Sequence, residues 1–420
     1  MHHIKNFKGF RDASIDLSQP LTVLIGPNGS GKSNLIEGIE LLAFIAKGHP
    51  LHEISDIGRG GKLEIRGDLQ ACPTFGHESF TLGFSLESLM GYEISPRVMP
   101  EVRISSEKFE IGETFLFQTL DRAQSATSGD IEVRYNNFKR GGRKPQVAVS
   151  ADRSVLSRYL KFAKDIKGFK EYSKIVSAIT RYLKQSFVFD PVPKLMRSYE
   201  RIGNTEMTRS GRNISAVLYG LSQSDEKTDK KRLDRLLERI RQLPDEPYRD
   251  LQFVTTQIND VIFGFTEGTN GHIVDARSLS DGTLRALAVL TALETVPKGS
   301  RLVIEEFDNG LHPSRMRILT EAIEDCCKRR KLNVLVTTHN PAALDALSEE
   351  QLDGVVLCAW DPTQKATNLV RLKDLPRSDQ LLESGRLGDL VTRRVIERYL
   401  APDFEERFQE RAEKWLASLP

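Results

Sequence analysis

The run Gly26-Pro-Asn-Gly-Ser-Gly-Lys32-Ser33 constrains this chain more than any other stretch. It comes after a largely apolar run of five residues, Leu21 to Ile25, and opens an apolar-periodic run that reads as a helix to about Ala46. A strand, a glycine-rich turn and a helix in that order make a phosphate-binding loop. The glycines let backbone N–H groups converge on an anion, and the helix start adds the positive end of its dipole. The loop implies ATP held by Gly26, Pro27, Asn28, Gly29, Ser30, Gly31, Lys32, Ser33 and Asn34. Lys32 is the fixed cation for the β- and γ-phosphates, and the Ser33 hydroxyl is a ligand for Mg²⁺.

The rest of the chain alternates between two patterns. Lys5 to Leu17 reads as a strand, a turn and a second strand, and Lys62 to Phe138 as antiparallel strands such as KLEIRGDL, FTLGFSL and VRISSEKFEI. Arg153 to Leu243 is mostly helical, broken at FDPVP and SGRN, with no heptad pattern sustained enough for a coiled coil. Short strands run from Phe253 to Ile273. From Leu302 strands and helices alternate, which is a parallel α/β pattern. Ser378 to Leu416 is a helical tail. The spacing gives a lobe at 1–150, a helical insertion at 151–246, a second lobe at 247–375 and the tail at 376–420.

Composition excludes several classes. A chain of 420 residues has room for two or three domains, or one with an insertion. Its net charge of +2 gives no global field toward nucleic acid, so such a contact needs a local patch. The best patch is the loop of Lys139, Arg140, Arg143 and Lys144, which reads either as a DNA, RNA or partner contact or as a solvated hairpin tip; Arg59 is a weaker candidate. Lys328 to Lys331 closes a helix, where cations favour the dipole. Cys72, Cys326, Cys327 and Cys358 match no zinc spacing and read as reduced thiols of a cytoplasmic protein. No apolar stretch suggests a signal peptide or membrane span, and His2 and His3 receive no metal role.

Three further motifs bear chemistry. Ser280-Asp-Gly282 opens a helix from Thr283 to Leu293, whose start is either a plain cap or a second anion site. The strand LVI ends in Glu305 and Glu306: a first acid placed for Mg²⁺ and a second to prepare water. The strand Val334 to Thr338 ends at His339. The dipeptide His339-Asn340 lacks the second histidine of an HNH nuclease.

In this order the motifs resemble those of ABC-type ATPases: Walker A at Gly26–Ser33, the signature at Leu279–Thr283, Walker B at Leu302–Asp308, a D-loop at Asn309–Pro313 and a switch histidine at His339. The N-terminal FKGFRDASIDLSQPLTVLIGPNGSGKS is similar to the RecF, SMC and OLD branch. LSDGTLR, EEFDNGLHP and TTHNP are similar to stand-alone bacterial AAA ATPases of anti-phage systems such as Septu and PARIS. The resemblance is specific over about 1 to 50 and 250 to 375. It implies an α/β P-loop head of mixed core sheet plus antiparallel layer, with Glu306, His339 and Lys32 catalytic and Ser33 and Glu305 on Mg²⁺. It also implies head-to-head oligomers in which Ser280 and Gly282 cap a partner's ATP, and a separately encoded effector, a nuclease, under ATP control. A RecF-like repair ATPase and a slowly hydrolysing ATP-bound scaffold are the alternatives. Departures are Glu305 for the usual Asp, Phe307 for Pro, and the missing Q-loop glutamine, for which Gln118 and Gln146 are the candidates.

Overall fold

A computed structural model describes residues 1–420 except 88, 121–128, 140, 164–165, 167, 244–247, 269–270, 402 and 418–420. Its core is a six-stranded sheet in the order Ser186–Phe189, Arg301–Ile304, Asn333–Thr338, Leu21–Ile25, Val355–Asp361, Ala366–Arg371. The first five strands run parallel and the last turns back antiparallel. LTVLI and RLVI are buried at every position, as strands covered on both faces must be. Register places the motifs. Ile25 pairs with Thr338 on one side and Leu357 on the other, and Ile304 pairs with Val336. Gly26, Glu305 and His339 therefore leave the sheet along one edge, at the carboxyl ends of the strands, where open α/β sheets bind ligands.

The second sheet has eight strands, Gln146–Ser150, Asp130–Tyr135, Thr114–Thr119, Arg103–Ile111, Met90–Arg97, Thr81–Leu86, His2–Phe7 and Phe10–Ile15, with every neighbour antiparallel. Met90–Arg97 alternates buried and half-buried residues, so one face meets the core. The helix Lys32–Lys47 fills the space between the sheets: Leu35, Ile36 and Ile39 join one cluster with Ile94 and Phe109 of the outer sheet and Leu24 of the core sheet. Leu21, Val23 and Ile25 point the other way, into a cluster with the helices Asp281–Thr295 and Pro313–Arg330. Gly48, at φ 85, ends the first helix.

Two local expectations change. KLEIRGDL is not an antiparallel strand; only Leu63–Glu64 is extended, paired in parallel with Ile54–Ser55, and the chain then turns at Gly67. The stretch 151–246 carries the helices Leu156–Ala163, Lys170–Lys184, Ile214–Gln223 and Lys227–Arg241, but also gives the core sheet its edge strand Ser186–Phe189. Those four residues fall between a helix and FDPVP, too short a run to show a period. The basic run stands in the last turn of Pro313–Arg330, as expected, and it also serves a neighbouring helix: Arg330 donates to the carbonyls of Leu293 and Val296, and Arg329 to the buried Glu294.

A buried carboxylate joins the outer sheet to the helix Leu156–Ala163. Glu107, 0% exposed, accepts from Ser154 Oγ (2.8 Å), Val155 N (2.7 Å), Leu156 N (2.8 Å) and Tyr92 OH (3.1 Å). Glu107→Ala strands these donors in an apolar interior. Urea denaturation is expected to show a loss of about 3 kcal/mol, the order of one or two unsatisfied buried groups.

Candidate functional site

The phosphate loop is shaped by close approach. A Cβ on Gly26 would lie 2.2 Å from the Cys358 carbonyl oxygen, and one on Gly31 2.9 Å from Thr367 Oγ1 at φ +110. Only glycine lets the loop sit against the neighbouring strands at these two points. Lys32 Nζ donates to the carbonyls of Gly26 (2.7 Å) and Pro27 (3.0 Å) and so spans the loop. Burial lowers its pKa, opposed by the charges of Cys358 and Glu306. Ser30 Oγ is buried with no partner. A loop with left-handed Gly29 and Gly31, a spanning ammonium and an unpaired hydroxyl fits a phosphate chain. Asn34, in the helix first turn, accepts Arg66 Nη2 at 3.0 Å, and Arg66 also pairs with Glu37 at 2.7 Å.

The acids stand beside the loop, stitched to the next strand. Glu305 N donates to Phe189 O (3.1 Å) and Glu306 N to Thr337 Oγ1 (2.9 Å). Glu306 adopts φ +44, a left-handed conformation that costs a non-glycine residue about 1 kcal/mol. Its carboxylate is exposed and accepts Asn309 Nδ2 at 3.2 Å. Asp308 is buried: Oδ2 accepts Thr338 Oγ1 at 2.8 Å, Oδ1 has no partner, and burial raises its pKa. His339 comes directly after Thr338 and is exposed. It lines a cavity of 600 Å³ with Gly26, Pro27 and Trp360, whose far wall is the tail residues Val391, Ile396 and Leu400.

Glu305 does not stand alone at its strand end. Arg209 donates Nη2 to Glu305 Oε1 (2.9 Å) and Nη1 to Glu40 Oε2 (2.8 Å). Burial raises the pKa of both acids, and the Arg209 charge opposes it. Asp190, at the end of the edge strand, is likewise raised by burial, with Arg285 and Arg209 opposing. It is Asp190 that stands beside Glu305, while Gln118 and Gln146 lie in strands of the outer sheet. Neither glutamine belongs to this edge, because both pair with Arg134 across antiparallel strands.

Ser280 and Gly282 form a separate part of the arrangement. Ser280 caps the helix Asp281–Thr295, accepting Thr283 N at 3.1 Å, and is itself exposed. Gly282 packs on the turn after Glu306: a Cβ there would meet Gly310 O at 2.9 Å. Arg197 fixes the helix start, donating to Leu279 O (2.8 Å) and Asp281 Oδ1 (2.6 Å). The sequence motifs missed Arg66, Asp190, Arg197 and Arg209, each brought in by a loop with no motif of its own. Asp190 had one signal, the apolar SFVF before it. In the basic loop, Lys139 and Arg143 are exposed, Lys144 is tied to Asn136 Oδ1 (3.2 Å) and Lys139 O (2.9 Å), and Arg140 lies outside the described residues. All four cysteines are free and buried, Cys358 with its thiol pushed up to about 11 by burial. No group of metal-ligating His, Cys, Asp and Glu occurs among the described residues, and no helix among them is long and apolar enough to cross a membrane.

A phosphate loop on the central strand of a mixed sheet, acids two strands away and an antiparallel layer beside them define a P-loop ATPase head of the ABC type. The family model described as "AAA domain, putative AbiEii toxin, Type IV TA system" matches residues 21–345, and the chain belongs to that family. It is similar to the ATP/GTP phosphatase of Helicobacter pylori, 23% identical over 362 residues that cover 82% of this chain and 86% of that protein. The DNA replication and repair protein RecF of Picosynechococcus is 36% identical over 80 residues, 19% of this chain and 20% of that protein. Among solved structures, the SMC head domain from Thermotoga maritima aligns over 88% of this chain and 97% of that one, at 13% identity and a TM-score of 0.42.

Lys32→Ala removes the only cation within the loop Gly26–Ser33. Calorimetry is expected to show ATP affinity reduced about tenfold or more, the size of a lost charge-assisted contact.

Proposed function

We propose that this chain is an ATP-hydrolysing switch whose heads close in pairs around nucleotide and control a separately encoded effector, a nuclease, in anti-phage defence in the cytoplasm. The observation that carries the reading is the convergence of Gly26–Ser33, Glu305, Glu306 and His339 on one sheet edge, with the exposed helix start at Ser280 packed on the same turn through Gly310. Lys32 exchanges its two loop carbonyls for the β- and γ-phosphates. Ser33 and Glu305 are the residues that hold Mg²⁺, which neutralises charge on the phosphate oxygens when bound. Glu306, held at its amide by Thr337, orients and deprotonates the attacking water, and His339 meets the γ-phosphate. Ser280 and Gly282 cap the ATP of a second copy, because a helix start is an anion site and this one is exposed at Ser280. The effector rests on the resemblance to stand-alone defence ATPases.

A RecF-like reading is favoured by one observation. Between Lys139 and Lys184 stand thirteen Lys and Arg and three acids, a charge of +10 in a chain of +2. Lys161, Lys170, Lys174 and Arg181 are exposed there. Changing Lys139, Arg140, Arg143 and Lys144 to Ser is expected to weaken DNA or RNA binding and flatten its salt dependence, read by titration at several salt concentrations. Unchanged affinity and slope make the loop a solvated tip.

Glu306→Gln keeps the size and hydrogen bonding of the side chain but removes the base. ATP binding is expected to persist while hydrolysis falls about 100-fold or more. A crosslink between one chain's phosphate loop and another's Ser280 segment is expected with ATP and lost in Ser280→Arg. Normal turnover in Glu306→Gln, or no crosslink with ATP in the parent, rejects the mechanism. Turnover near zero in the parent selects the ATP-bound scaffold.

A further inference from the structure

Glu305 is shared property. One guanidinium, that of Arg209, spans it and Glu40, the latter on the helix that the phosphate loop opens. Both carboxylates are about four-fifths buried, at 19% and 21% side-chain exposure. Two acids this close disfavour each other's charge, and Asp190 adds a third. Arg209 is the cation that bridges Glu40 and Glu305, while Arg285 also acts on Asp190.

The arm that delivers Arg209 is built. Its carbonyl accepts Asp190 N at 2.9 Å, and the Ser210 carbonyl accepts Val192 N at 2.9 Å, so the loop is paired to the chain leaving the edge strand. Asn213, 1% exposed, closes the loop from the other side. It accepts Thr208 N (2.9 Å) and Thr208 Oγ1 (3.0 Å) and donates to the carbonyls of Asn204 (3.1 Å) and Glu206 (2.6 Å). Gly211, at φ +69, makes the tight turn between them; a Cβ there would lie 2.7 Å from Met196 Cε. An exposed ion pair on a loose loop contributes little. This one is two-armed, reaches two largely buried acids and stands on a braced backbone.

We propose that Arg209 is a positioning residue that competes with Mg²⁺ for Glu305 and so sets how tightly the metal is held. The inference rests on the reading of Glu305 as the metal acid. Guanidinium and metal draw on the same carboxylate. The Glu40 arm keeps Arg209 from settling wholly on Glu305 and holds the guanidinium when Glu305 turns to the metal. Removing Arg209 then frees Glu305 and tightens Mg²⁺. Removing the charge of Glu40 concentrates the guanidinium on Glu305 and loosens it. A residue that merely supported the fold would shift both variants toward weaker binding.

The test is ADP binding to the full chain by calorimetry, across an Mg²⁺ titration and in chelator. For Arg209→Gln the half-saturating Mg²⁺ is expected to fall about tenfold, and for Glu40→Gln to rise several-fold, with metal-free ADP affinity within about twofold of the parent in both. Opposite signs from two neighbouring neutralisations cannot come from misfolding. If the parent depends on Mg²⁺ and the variants shift together or not at all, the Arg209 assignment is overturned. If the parent binds ADP with no dependence on Mg²⁺, the metal reading of Glu305 falls, and the Arg209 proposal with it.

Discussion

Everything at the candidate site depends on the parallel pairing of Leu21–Ile25 with the strands on either side. Those five residues are buried, and they are hydrogen-bonded to Asn333–Thr338 and to Val355–Asp361. The pairing puts the loop after Ile25 at the level of His339, while Glu305, one strand further, follows Ile304, which is in register with Val336 and Val23. It also forces the identity of the first loop residue, since the Cys358 carbonyl lies 2.2 Å from where a Cβ on Gly26 would be. Cys358 Sγ closes the same contact by donating to Ser30 O at 3.3 Å. Shift this register by one residue and the apolar side chains would exchange faces between two clusters, while the loop would lose its place against the acids.

The parts of this arrangement that sequence discloses are those with a local cause. Leu21–Ile25, the loop and the helix Lys32–Lys47 form one continuous signal, since each needs only its own neighbours to be recognised. The same holds for NVLVTT and GVVLCAW, which are apolar enough to require burial on both faces. What sequence hides is what long-range pairing decides. Ser186–Phe189 is four residues inside a mostly helical stretch, and only the pairing with Arg301–Ile304 makes it a core strand. KLEIRGDL alternates well enough for a strand, yet Gly67 at φ 75 turns the chain, and Arg66 spends itself on Glu37 and Asn34. Arg209 sits in SGRN's shadow with no period at all. Its role comes from two carboxylates that are distant in sequence and adjacent in space.

The site is rich in acids that burial disfavours. Glu40, Asp190, Glu305 and Asp308 all have pKa values pushed upward by desolvation. Such a concentration holds its charge only with cations at hand. Arg209 serves Glu40 and Glu305, and Lys32 carries its charge toward Glu306. A substituted Asp at 305 would be one methylene shorter, and Arg209 would then have to move its braced loop to keep the contact. The longer side chain and the arginine opposite it are therefore one local solution, in which a departure from the resembling family's Asp is matched by a partner.

The turn from Glu306 to Leu311 joins the two halves of the proposed cycle. At one end Glu306 and Phe307 are fastened to Thr337, and Asp308 to Thr338, next to His339. At the other end Gly310 O presses on Gly282, in the helix that Ser280 caps. Glu306, at the first end, holds a left-handed conformation, and its carbonyl accepts Asn309 N at 2.9 Å. A Cβ on Gly282 would meet Gly310 O at 2.9 Å and Arg315 Nη1 at 3.3 Å, so the helix start packs closely on the turn. The turn that begins at Glu306 and the helix that Ser280 caps are thus in direct contact, through Gly310 and Gly282.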